Sequence, residues 1–206
     1  MHTRYMRTRS YFLPLIFIGL ITLFVHCDGN KQKESTSFTR IDSLTDMYLV
    51  LQDSLLDTWN LMIKDDNQKI KAMKNLTHEL EVGGQFSQEE LFSLEQRIDQ
   101  LIKIRYTPKT MWNADVVEEY DFASNSLVTE LISLAESHSA FSSNKVMQQL
   151  VDDIRAADLR VENFRMDYDE LAMTYNAFLE DHQNVLKEIV DTDSSGRKPL
   201  FQFASE

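Results

Sequence analysis

From Ile41 onward, apolar residues recur in alternating steps of three and four: Ile41, Leu44, Tyr48, Leu51, Leu55, Trp59, Met62, Ile70, Met73, Thr77 and Leu80, with one gap around Asp66. That period predicts a single amphipathic helix with one buried stripe. At about 1.5 Å of rise per residue it would reach about 60 Å. Gly83-Gly84 ends it, because two glycines release the backbone into a turn and supply a C-terminal cap. Ser87-Gln88-Glu89-Glu90 then reads as a capping box, Ser87 accepting from the amide of residue 90 while Glu90 reaches back. Leu91, Leu94, Ile98, Leu101 and Ile102 form the apolar face of this second helix, and Tyr106-Thr107-Pro108 stops it, since the residue before proline is pushed out of the helical region. A third helix is expected from about Asp115 to Ser137, with Val116, Tyr120, Leu127, Leu131 and Leu134 inward. Ser142, Ser143 or Asn144 caps the next. The fourth carries Val146, Leu150, Ile154, Val161, Phe164, Tyr168, Leu171, Tyr175, Phe178, Val185 and Ile189.

No alternating strand pattern interrupts these helices, and the loops between them are short and polar. The expected fold is all-α: an elongated antiparallel four-helix bundle over residues 40–192, followed by a tail over 193–206. The long first and fourth helices would project past the middle pair, or pair with each other as a coiled-coil extension. Residues 28–39 are polar apart from Phe38 and lack periodicity. With Cys27 they read as a flexible tether.

Residues 1–26 have a different pattern. Arg4, Arg7 and Arg9 precede a fifteen-residue apolar run from Tyr11 to Val25, and Cys27, the only cysteine, follows. Charge, apolar run and terminal cysteine in that order read as a lipoprotein signal peptide with Cys27 as the acylated residue. The rival reading is an uncleaved membrane anchor. A bilayer core of about 30 Å asks for roughly 20 apolar residues, so the run is short for a span; His26 departs from the small residue usual before a lipidated cysteine. In both readings the basic flank stays inside and the remainder crosses the membrane.

Composition narrows the function. A single cysteine makes no internal disulfide. The formal net charge is −12, and without the three leading arginines 18 basic residues face 33 acidic ones, a net −15. Such a surface repels phosphate backbones and anionic headgroups, which argues against a nucleic-acid partner. A di-iron bundle needs Glu-x-x-His pairs, yet Asn75, Ala135 and Leu179 stand three residues before His78, His138 and His182. Those histidines read as solvated or capping residues. The acidic pairs Asp65-Asp66, Glu118-Glu119 and Asp152-Asp153 read as solvated faces. With Cys27 assigned to the anchor, no cysteine remains for a zinc site or a nucleophile. No metal, cofactor or catalytic residue is therefore expected, and the chain is not read as an enzyme.

One segment has a family likeness. Arg165-Met166-Asp167-Tyr168-Asp169 is followed by Tyr175-Asn176, similar to the last bundle helix of the LemA family, which bears an arginine and two Tyr-Asn pairs at this spacing. Glu136 resembles the glutamate closing the preceding family helix, Trp59 falls where the family has a tryptophan, and Lys198-Pro199-Leu200-Phe201-Gln202-Phe203 resembles its aromatic tail. Asp169 stands where the family has asparagine. The resemblance implies an N-terminally anchored helical bundle outside the cytoplasm of a bacterial cell, in its envelope, with no established activity. Steps of three and seven place Arg165, Tyr168 and Tyr175 on one stripe, where the rings would enter a helix seam and Arg165 would bond Glu136. That stripe is either a lock on helix register or a recognition patch for a partner helix. Two functions follow. One is an interaction or scaffold module for an envelope protein, with Phe122, Phe141, Phe201 and Phe203 as exposed anchors and homo-oligomers as one form of assembly. The alternative is a small-ligand sensor or carrier, binding between helices beside Trp59 and Trp112.

Overall fold

The computed structural model describes residues 39–189 and 196–201. The chain divides into two units, Met1–Phe38 and Thr39–Glu206, and every described residue belongs to the second. The expected signal segment, Cys27, the tether up to Phe38, and Phe203 lie outside the described residues. Among those described, the secondary structure is all helical with no strand, and no helix is long and apolar enough to cross a membrane.

Helix α1 runs Arg40–Gly83. Thr39 caps it reciprocally: its hydroxyl accepts from the Asp42 amide at 3.1 Å, and the Asp42 carboxylate accepts from the Thr39 amide at 2.9 Å. Two otherwise orphaned amides are satisfied in this way. Gly84 closes the helix at φ 66, the left-handed conformation that glycine adopts without a Cβ penalty. Helix α2 spans Gln88–Ile104. Ser87 accepts from the Glu90 amide at 3.2 Å, which is the forward half of the expected box. The helix stops as Arg105 turns extended at ψ 133, three residues before Pro108. Helix α3, Ala114–Ser137, and helix α4, Lys145–Asp181, are capped by Asn113 and Asn144.

Helix α1 lies along α4 as the dominant packing pair. Glu79 meets Asn144, Asp65 meets Arg160 and Tyr48 meets Tyr175, so the two helices run in opposite directions. Helix α2 packs against α1 and α3, and α3 also reaches α1 and α4. Met73, Leu76 and Leu80 of α1, Leu94, Ile98 and Leu101 of α2, Leu127 and Leu131 of α3, and Met147, Val151 and Ile154 of α4 are enclosed in one core. Burial of these side chains is the main cohesive force.

Several expectations are corrected. The fourth helix breaks at His182 (φ −119, ψ 17), and a short helix α5, Gln183–Ile189, follows. On it Leu186 is buried and Val185 half-buried. Ile41, Ile102 and Val146, expected inward, are exposed. Val117 is buried beside Val116, which is half-buried and packs against the core.

Candidate functional site

Most of the residues with the family likeness converge on one place, a groove between α1 and α4 that holds the C-terminal residues 198–201. Asn176 is buried on α4. Its Nδ2 donates to the Lys198 carbonyl at 2.9 Å, and its Oδ1 accepts from the Lys198 amide at 2.7 Å. One turn pair earlier on the same face, the Asp169 carboxylate accepts from the Phe201 amide at 2.8 Å. Steps of seven return to one helix face, which is why these two side chains address backbone groups three residues apart in the tail. The Phe201 ring is buried in an aromatic cage. Trp59 stacks parallel to it at 6.5 Å, and Tyr106 and Tyr168 meet it edge-on at 5.4 and 5.6 Å. The Arg165 guanidinium lies 4.9 Å from the ring centre, and the Lys198 ammonium sits 5.1 Å from the Tyr175 ring. Both are cation–π contacts. Burial pushes the Tyr168 hydroxyl up to about 12.

Arg165 links this cage to a second cluster. Its two Nη atoms bond both oxygens of Asp121 at 2.8 and 2.6 Å, and Nη2 also donates to the Tyr106 hydroxyl at 3.1 Å. Burial acts to lower its pKa, but Asp121 and Tyr106 together outweigh this and hold it above the usual arginine range. Tyr106 meets Tyr120 edge-on at 5.3 Å, and the Tyr120 hydroxyl reaches both oxygens of Asp66 at 2.7 Å. Arg105 approaches Asp66 at 2.8 Å as an ion pair. Lys69, only 4% exposed, donates to the Ser124 hydroxyl at 3.0 Å and lies 3.4 Å from Asp158 and 3.7 Å from Asp66. Burial, and then the Asp66 charge, raises the Tyr120 pKa. The buried Lys69 and the half-buried Arg105 and Arg165 thus face three carboxylates, and each charge has a partner. That is the arrangement in which ionic groups persist inside a protein.

The sequence-predicted residues are distributed as follows. Trp59, Arg165, Tyr168, Asp169 and Asn176 surround the tail. Tyr175 also touches it through Lys198, and packs its fully buried ring against Tyr48 at 5.9 Å. Glu136 does not join them: it pairs with Arg155 at 2.7 Å on the surface, and Asp121 is the partner of Arg165. Residues 136 and 165 stand at different levels of the α3–α4 pair, so the expected bond is out of reach. Phe201, expected as an exposed anchor, is buried; Phe141 is half-buried, and Phe122 is 80% exposed. Asp65 and Asp66, expected on a solvated face, are instead paired and largely enclosed. The gap in the α1 stripe was the visible signal of Asp66, because it stands where an apolar residue was due. Lys69, Tyr106 and Asp121 had no such signal. His138 is buried as the C-cap of α3, with Nδ1 accepting from the Ala140 amide at 3.1 Å, while His78 is exposed beside Glu81. Among the described residues no group of three His, Cys, Asp or Glu side chains is arranged to hold a metal.

Comparison with known proteins adds no relative: no family model matches the chain, no curated protein matches it, and no solved structure matches it.

Proposed function

We propose that the protein is a membrane-tethered, LemA-like lipoprotein of the bacterial cell envelope, working outside the cytoplasm as a non-enzymatic interaction or scaffold module. In this reading Cys27 holds the lipid, and α1 to α4 form an elongated antiparallel four-helix bundle that presents a helix face to an envelope protein. The observation that carries it is an apolar stripe on the outside of α4: Leu159, Met166 and Met173 recur in steps of seven and are 76%, 60% and 48% exposed. A sustained seven-residue apolar step is the pattern a partner helix reads. The test is crosslinking and affinity capture of the full-length protein from native membranes, with intact-mass measurement of its N-terminus. A defined stoichiometric partner, lost in the triple variant Leu159→Ser, Met166→Ser, Met173→Ser at unchanged melting temperature, is the expected result. An unacylated chain, or capture indifferent to the triple variant, would overturn it; capture of a second copy alone would reduce it to self-assembly.

A second reading, a small-ligand sensor or carrier, is supported by an open pocket of about 320 Å³ beside Trp59, walled by Leu55, Leu56, Pro108, Tyr168 and Lys198. Trp112 does not line it. Binding of a hydrophobic dye to the native protein, displaced by envelope lipid extract, is its expected signature.

A further inference from the structure

We infer that the groove between α1 and α4 is a peptide-binding site, filled in this structure by the protein's own C-terminal segment as a resident ligand, and suited to an extended partner peptide of the form basic–Pro–apolar–aromatic. Three features carry this. First, the segment is held through its backbone by side chains: Asn176 takes both the amide and the carbonyl of Lys198, and Asp169 takes the Phe201 amide. Such bonds recognise any extended peptide, whatever its side chains, and leave specificity to pockets. Second, the pockets are few and defined. The cage of Trp59, Tyr106, Tyr168 and Arg165 accepts one aromatic ring, and the Tyr175 face accepts one cation. Third, charge is complementary: Asp53 shares a pocket wall with Lys198, and Glu180 shares one with Arg197, on a chain of net charge −12. A partner segment with the same four-residue chemistry satisfies the contacts of Lys198 to Phe201, a basic residue before it adds the one beside Glu180, and pre-formed aromatic grooves suit proline-containing peptides because little order is lost on binding.

The consequence is competition. A tethered segment presents itself at an effective concentration of about millimolar, so a partner peptide meets a closed groove until the resident ring leaves. The groove's occupancy depends neither on the lipid anchor nor on the exposed Leu159, Met166 and Met173 of α4, none of which touches residues 198–201 in the bonds and ring contacts above, so each can fail without the other.

The test uses the whole chain carrying Phe201→Ala, and a fluorescent peptide of sequence Arg-Lys-Pro-Leu-Phe-Gln. Fluorescence anisotropy should show the peptide binding the variant at least about tenfold more tightly than it binds the wild type, whose groove is occupied. Adding Asn176→Ala should abolish that gain, and the same peptide with alanine for phenylalanine should not bind. A folded Phe201→Ala chain that takes up no peptide, or that takes both peptides equally, overturns the inference. So does a concentration-dependent dimer in the wild type that Phe201→Ala abolishes, since the occupant would then be a second copy. Where Phe201→Ala melts out, Phe201→Leu retains apolar bulk for folding but loses the ring contacts that hold the resident segment, so the peptide's phenylalanine can displace it in the same titration, read by peptide-induced thermal stabilisation. Failure of that variant to fold as well would make the segment an inseparable part of the core, and would also overturn the inference.

Discussion

Asp121 and Asp66 show how single positions escape or betray themselves in a sequence. Asp66 interrupts an otherwise regular apolar stripe, and the structure places it against Tyr120, Arg105 and Lys69. Asp121 lies next to Tyr120 in an unremarkable acidic run, yet it is the bidentate partner of Arg165. Removing it leaves a half-buried guanidinium without its counter-charge. Asp121→Ala should therefore destabilise the protein by roughly 2 kcal/mol, in the range seen for hydrogen bonds to charged groups. Glu136→Ala removes only a surface pair with Arg155 and should cost less than about 0.5 kcal/mol. Urea denaturation of the two variants checks the assignment directly; equal losses would mean that Glu136 supports Arg165 after all.

At the scale of elements, the turn between α1 and α2 separates two roles within one Gly-Gly pair. Gly84 is the left-handed cap, with open space around it, whereas a Cβ on Gly83 would fall 2.3 Å from Nε2 of the buried His138. The first glycine is needed for a contact between α1 and the end of α3, the second for its backbone angle. Gly84→Ala should cost about 1 kcal/mol. Gly83→Ala should cost more, in the range of about 1–3 kcal/mol for overpacking a closed site, and His138→Ala in the same chain should recover part of the loss. Thermal melts of the two single variants and the double variant test this; simple additivity would rule out the steric coupling. The pair was legible as a helix stop from sequence, because glycine breaks helices wherever it stands. The contact with His138, more than fifty positions away, was not.

The whole molecule is closed by aromatic side chains that must stay neutral. Tyr106, Tyr120, Tyr168 and Tyr175 all have pKa values raised, first of all by burial. A folded-state pKa above the unfolded value of about 10 means a contribution that is complete below pH 10 and is lost as the pH rises through the folded values, which for Tyr168 means about 12. Alkaline titration should therefore show helical circular dichroism falling together with the rise of phenolate absorbance, in a cooperative step above about pH 10. Ionisation of all the tyrosines with the helices intact would contradict the buried arrangement.

Local chemistry along the chain was enough to determine that the domain is helical, where α1 to α3 end, and that α4 begins at one of Ser142, Ser143 and Asn144; the structure chose Asn144. Periodicity, caps, glycine and proline act over one or two turns, and those signals survive in sequence alone. Three of the residues singled out on α4, Arg165, Tyr168 and Tyr175, could be placed on one stripe of the helix by their spacing. What that stripe faces could not. Only the tertiary structure decided that Arg165 meets Asp121 and not Glu136, that Lys69 is buried among carboxylates, and that residues 198–201 fill the groove on α1 and α4. These choices join positions 22 to more than 100 residues apart. They depend on which helix faces which, and on the cost of leaving a charge or a backbone amide unpaired once water is excluded.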